Sequence, residues 1–386
     1  MQKILFVSSK NLTGNLLDGA EIRMYQIMKS LSEKNDLDFV CVDSNSSKKN
    51  GDIKFLRNKI VFRISFFSRV INALICLIKL NPIQNGLFYS KEMSIFIDKN
   101  KNNYDVIIFH LSRCALYLPE DFRGIKILEA SDLASLRYSQ IVNHFSFFNP
   151  VKYLFWLEKI LQKAYEKKIF DLFDKVVFVS KNELFETKNF LKKNKIIDIA
   201  NSVEVQKKVF SHNLKNNKII FVGNINYLPN RIACYNFIKE VLPKINIEYP
   251  KVVFHIVGKI SIIDKFMLRN SNVIVHGPIK NLNNVFKNTI CGICNIEIAT
   301  GLQNKIFTYM SYGLPTIVSK KTYPSSMIKK NNQILVYHNN KELIKLIFEL
   351  IKNKSLSNKL SKNSHDCIKK KFSLKKMYRK YIDLIK

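Results

Sequence analysis

The stretch Thr300 Gly301 Leu302 Gln303 Asn304 Lys305 Ile306 Phe307 Thr308 Tyr309 Met310 Ser311 Tyr312 Gly313 Leu314 Pro315 Thr316 Ile317 Val318 Ser319 reads as a loop, a helix, a glycine turn and a buried strand. What decides the fold is that this αβ unit repeats. β-branched runs recur around it at 218–223, 252–258, 272–276, 289–295, 315–319 and 333–337, with helical patterns between them. The first half alternates in the same way, with runs at 4–8, 39–43, 106–110, 125–129, 176–180 and 196–200 and helical patterns notably at 20–34 and 153–173. Alternation of this kind predicts an α/β fold of two Rossmann-like domains, each with a mostly parallel sheet. A chain of 386 residues also exceeds one core, and length over ~150 gives two domains or three. The polar stretch 201–218 lacks a clear period and predicts the linker. The expected division is 1–205, 206–371 and a terminal helix, 372–386, packing back on the first domain.

Composition narrows the function classes. The apolar run at 4–7 is too short for a signal peptide and reads as a first buried strand. The longest apolar candidate, 70–78, is interrupted by Asn72 and is far short of the ~18 residues a spanning helix needs. Seven cysteines, widely spaced and mostly in apolar runs, predict reduced core thiols in a cytoplasmic protein. Cys291 and Cys294 form a lone CxxC with no second pair to complete a zinc site. Net charge is +33, from 63 Lys and Arg against 30 Asp and Glu, so polyanions are the expected partners. No basic tail, zinc-finger spacing or RNP pattern points to a specific nucleic acid. An anionic membrane surface fits better, because 61–80 and 145–168 mix aromatics and cations as interfacial helices do. Both are equally compatible with amphipathic helices that bury their apolar face.

In open α/β sheets, ligands bind beyond the carboxyl ends of the strands. The first half places there Gly14, Gly19, Glu21 and Arg23; His110, Ser112 and Arg113; Glu129, Ser131, Asp132 and Arg137; and Ser180. The second places Gly223, Asn224 and Tyr227, then Gly258 and Lys259, then the loop from Gly301 to Lys305. Gly301 frees the backbone at a helix start, where amides and the helix dipole favour an anion, and Lys305 adds a full charge. Neither GxGxxG nor GxxxxGK[ST] occurs, so dinucleotide and P-loop chemistry are unsupported. The Asp36 Leu37 Asp38 triplet reads as a polar strand entry rather than a metal-holding motif.

The runs 221–230, 254–259, 301–305 and 312–319 resemble GT-B glycosyltransferases of family 4, in particular a bacterial surface-polysaccharide branch with a G-[IL]-Q-N-K loop. The match spans roughly 218–320, with looser agreement around 18–21, 104–110 and 132–138. The resemblance implies two facing domains, an acceptor domain followed by a donor domain. It implies a retaining, metal-independent transferase with no cofactor, moving a sugar from a nucleotide diphosphate to a glycan or lipid-linked acceptor, and the charge and segments above set the expected place at the inner membrane face. It places His110 as the catalytic residue facing the donor sugar. Gly19, Gly223, Asn224, Lys259, Gly301, Gln303, Asn304, Lys305 and Thr308 fall on the donor side, and Glu21, Arg23, Asp132 and Arg137 on the acceptor side. The chain departs from the family at Thr308 and Thr300, where carboxylates are usual, and Glu297 is the nearest substitute. That departure raises a second reading, a catalytically inactive GT-B scaffold that binds a partner or the membrane.

Overall fold

The structure, a computed structural model, describes residues 1–12, 19–43, 53–179, 195–207, 210–213, 215–279, 281–297 and 303–386, with only the backbone of His144. The chain divides into two units: the first holds Ala20–Ala200 together with the opening strand and Tyr378–Lys386, and the second holds Asn201–Met377.

The first unit runs β1 (Lys3–Ser8), α1 (Gly19–Ser32), β2 (Asp36–Asp43), β3 (Asn58–Arg63), α2 (Phe66–Ile78), α3 (Ile83–Leu87), α4 (Lys91–Asn100) and β4 (Val106–His110). It continues through a 3-10 helix (Ser112–Tyr117), β5 (Ile125–Ser131), α5 (Ala134–His144), α6 (Pro150–Phe170), β6 (Lys175–Phe178) and β7 (Ile196–Asp198). The strands pair in parallel in the order β3-β2-β1-β4-β5-β6-β7. Central strands are covered on both faces, which is why β1 and β4 are almost wholly buried and read as continuous apolar runs. Sequence order reverses between β1 and β4, opening a crevice at their carboxyl ends. In register there, Ser8 lies opposite His110 and His110 opposite Glu129.

β3 was not expected, and the segment 61–80 begins inside it rather than forming one helix. Its residues are at most half-buried because it lies at the sheet edge, so neither a solid apolar run nor clean alternation marks it. Asp36 and Asp38 lie in β2, and buried Asp38 accepts bonds from Arg57, Asn58 and Tyr104. The triplet is therefore a structural strand entry.

The second unit runs β8 (Lys218–Val222), α7 (Leu228–Asn236), a π-helical turn (Phe237–Val241), α8 (Leu242–Glu248), β9 (Val253–Val257), α9 (Ile262–Met267) and β10 (Val273–Gly277). It continues through α10 (Asn283–Phe286), β11 (Thr289–Cys294), α11 (Asn304–Ser311), β12 (Thr316–Ser319), β13 (Leu335–Tyr337), α12 (Asn340–Lys352) and α13 (Lys354–Lys371). Its parallel order, β10-β9-β8-β11-β12-β13, repeats the reversal between β8 and β11. Tyr309 of α11 clamps that point: its buried hydroxyl accepts Val222 N–H at 2.7 Å and donates to Ile293 O at 3.2 Å. Gly292 makes room for the ring, since a Cβ there would sit 2.5 Å from it. Cys291 and Cys294 are buried free thiols whose pKa burial raises. Helix α14 (Leu374–Leu384) carries the chain back into the first unit from Tyr378 onward.

Candidate functional site

The donor-side candidates of the second half that the structure describes gather at the carboxyl ends of β8, β9 and β11 within the second unit. Strand ends are stitched by backbone bonds from Gly223 to Val257, Gly258 to Gly277 and Ile225 to Lys259. Gly258 has φ of +145°, and a Cβ there would come 1.9 Å from Gly223 O, so only glycine permits this approach. Asn224 Oδ1 accepts Asn226 N–H and its carbonyl accepts Asn230 Nδ2 at 2.8 Å. The Lys259 side chain is exposed.

Asn230 then reaches Lys305. Lys305 is 8% exposed, and its ammonium donates to Asn230 Oδ1 at 2.7 Å and stands 4.3 Å from the Phe221 ring centre. Among the described residues it makes no salt bridge. Burial lowers its pKa, and among the described residues no carboxylate offsets the desolvation. Gln303 is the N-cap residue of α11, Asn304 Oδ1 accepts Asn201 Nδ2 at 2.6 Å, and half-buried Thr308 returns its hydroxyl to Asn304 O at 3.1 Å. Gly301 and Thr300 lie outside the described residues, as do Gly14 and Ser180. Glu297 pairs with Lys321 at 3.0 Å.

In the first unit, His110 ends β4 and is buried, with its ring 6.0 Å from that of Phe6. Gly19, the first residue of α1, is grouped with the second unit. Glu21 is buried and paired with Lys10 at 3.1 Å. Arg23 is buried as well: it donates to Glu129 Oε1 at 2.8 Å, Ile199 O at 2.9 Å and Tyr381 OH at 2.8 Å, while Tyr381 donates to Glu129 Oε2 at 2.5 Å. Burial alone would lower the Arg23 pKa, but Glu129 reverses the effect and raises it.

Asp132 and Arg137 come together in a two-oxygen pair at 3.2 Å, on the wall of a small polar pocket shared with Gln84, Ser112 and Arg113. Two non-glycine residues in left-handed backbone, Leu111 (φ 72°) and Ser131 (φ 64°), turn the chain into this pocket from β4 and β5. Behind it, Glu166 accepts both the amide and the hydroxyl of Ser135, and burial pushes its pKa up to about 7.

Sequence reading placed Glu129 at a strand end but did not single out Asn230, Phe221 or Tyr381 as site residues. Asn230 lies in the first turn of a helix, where Asn reads as capping, and the partners of Arg23 stand 106 and 358 positions away.

Residues 216–353 match the family described as Glycosyl transferases group 1. No curated protein matches the chain. Among solved structures, it is similar to a sucrose-phosphate synthase from Thermosynechococcus elongatus at 12% identity and TM-score 0.74, covering 100% of this chain and 98% of that one. It is also similar to HepE of Anabaena in complex with UDP-glucose, at 11% identity and TM-score 0.68 over 100% and 99% of the two chains. A lipopolysaccharide outer core galactosyltransferase, WaaB, aligns at 14% identity and TM-score 0.58 over 99% and 98%. The two parallel-sheet units thus have the GT-B fold, and residues 216–353 of the second are similar to the group 1 glycosyltransferases.

Proposed function

We propose that the protein is a retaining glycosyltransferase that moves a sugar from a nucleotide diphosphate to a glycan or lipid-linked acceptor in surface polysaccharide synthesis, without a metal ion, at the inner face of the membrane. The observation that carries this reading is Lys305: a buried ammonium, held by a neutral amide and an aromatic face, at the start of α11. A buried cation left without a counter-charge is costly unless an anion completes it. A departing diphosphate is such an anion, and the α11 N-terminus adds amide dipoles of the same sign. Solved relatives bound to UDP and UDP-glucose support nucleotide sugars as the donor class.

In this reading Lys305 stabilises the leaving diphosphate and Asn230 fixes the ammonium. Asn224 positions Asn230, and Lys259 meets the phosphates from the rim. His110 contacts the donor sugar, while Asp132 and Arg137 bind acceptor hydroxyls. Retention requires the acceptor to attack on the face from which the diphosphate leaves. A thermal-shift panel of UDP, GDP, CMP and ADP sugars is the first test, followed by transfer to membrane acceptors with and without EDTA and by NMR of the product anomer. Stabilisation by one nucleotide class and EDTA-resistant transfer with the donor's anomeric configuration are expected. No turnover of any donor would overturn the reading.

Thr308 supports a second reading, the inactive scaffold. Its hydroxyl is already bonded to Asn304 O, and a hydroxyl offers less than a carboxylate to a ribose. Nucleotide-dependent stabilisation with no transfer on any membrane acceptor would favour it.

A further inference from the structure

Helix α2 is built inside out. Its protein-facing side carries small or polar residues: Ala73 and Cys76 are buried, Asn72 donates to Tyr89 O at 2.9 Å, and Arg69 donates to Leu87 O at 3.1 Å. Gly86 of α3 packs beneath it so closely that a Cβ would sit 2.2 Å from Asn72 O. The large apolar residues point the other way. Phe67, Val70, Ile71, Leu74, Ile75 and Ile78 recur at helical spacing, and all are exposed, from 42% at Val70 to 81% at Ile78. An amphipathic helix in a globular unit normally buries this stripe, and a contiguous exposed one marks an interaction surface. A second exposed group, Phe147, Phe148, Leu154 and Trp156, lies at the start of α6. The two are tied through α3, whose first amides, Ile83 and Gln84, donate to Glu158 of α6 at 2.9 and 3.1 Å.

We infer that α2 and the start of α6 form the surface on which the protein docks to an anionic lipid bilayer. Charge selects this occupant: from 53 to 91 the sequence has seven Lys and Arg and no Asp or Glu, and exposed Arg63 and Lys79 flank the stripe. A second copy would bring two basic surfaces of a +33 chain together, which like-charge repulsion opposes. The helix has 13 residues, whereas spanning takes about 20, so it lies in the interface plane with its flanking cations at the headgroups. The inference rests on the membrane location proposed above, but not on sugar transfer.

The test is co-sedimentation of the full chain with phosphatidylcholine vesicles, with and without phosphatidylglycerol, while the single tryptophan, Trp156, reports burial by a blue shift. Binding to anionic vesicles alone, weakened by salt, is expected. The double variant Ile71→Asp, Ile75→Asp should lose at least about tenfold in partitioning, because both apolar area and charge attraction set interfacial binding. Its melting temperature and its thermal shift with nucleotide sugars should be unchanged, since both positions are exposed. Absence of binding to anionic vesicles overturns the inference, as does equal binding by the variant. A concentration-dependent dimer that the same variant abolishes overturns it too, by making a second copy the occupant. Vesicle binding without sugar transfer on any donor would count against the proposed activity and leave the docking surface standing.

Discussion

Two buried cations divide the molecule's chemistry between its units. Arg23 in the first unit is closed on itself: Glu129 neutralises it, Tyr381 bridges the pair, and Ile199 O takes a further N–H. Lys305 in the second unit has a neutral amide and a ring instead. An arginine fork paired with a carboxylate is a finished structural element. An ammonium without a carboxylate keeps its charge available, at a cost to the fold that a ligand can remove. Burial alone therefore does not separate structural from functional charge, and the identity of the nearest acceptor does.

The comparison breaks most visibly if Arg23 loses its counter-charge. Glu129→Ala should cost about 3–5 kcal/mol, measured by urea unfolding, because it strands a buried guanidinium. A loss under about 1 kcal/mol would mean that the network is not structural. A buried carboxyl adds a pH dependence to the first unit. Glu166 has its pKa raised by burial to about 7, so between its unfolded value and 7 the native state holds a proton that the unfolded state has released. Stability is then fully present at low pH and falls as pH rises towards 7, by on the order of 3 kcal/mol. Glu166→Gln should flatten this slope in Trp156-monitored unfolding, and a slope of unchanged steepness would discard the assignment.

Lys305→Met should leave stability equal or higher while lowering kcat by about 10²–10³, roughly the loss of one preorganised donor to a developing anion. If instead the variant unfolds and the residual folded fraction keeps full activity, Lys305 belongs with Arg23. Asn230→Asp makes Lys305 resemble Arg23 by supplying the missing carboxylate. We expect higher stability, with nucleotide-sugar affinity reduced about tenfold, or ~1.4 kcal/mol, by titration calorimetry. The smallest effect is at Thr308: Thr308→Glu should tighten nucleotide binding by about 1 kcal/mol, as one added charged acceptor for the ribose would. No change in affinity would place the ribose elsewhere.

The expected central strands are all found in the structure, because strands buried on both faces must be apolar throughout and the sequence has to record that. Edge strand β3 escaped because its half-buried residues need no such signature. Periodicity marked α2 as amphipathic but carried no sign of direction: the same stripe serves a core or a lipid surface, and only the bonds of Asn72 and Arg69 to the protein interior reveal which way it faces. Lys305 was recognisable as a cation at a helix start, yet its burial depends on Phe221 and Asn230, which folding brings in from 84 and 75 positions earlier. For the same reason Arg23 could be named at the end of a loop but not seen to be neutralised. Sequence reading located the charges, and packing determined what each one faces.

The return of α14 bears on how the protein is made. Residues 378–386 leave the ribosome only after all of the second unit, yet Tyr381 among them closes the Arg23–Glu129 pair. During synthesis the first unit therefore emerges with its buried ion pair missing one partner, which is made only after the second unit. The expected order of maturation is the reverse of the order of translation. Pulse proteolysis of ribosome-bound chains should find the second unit protected before the first, and early full protection of the first would refute that order.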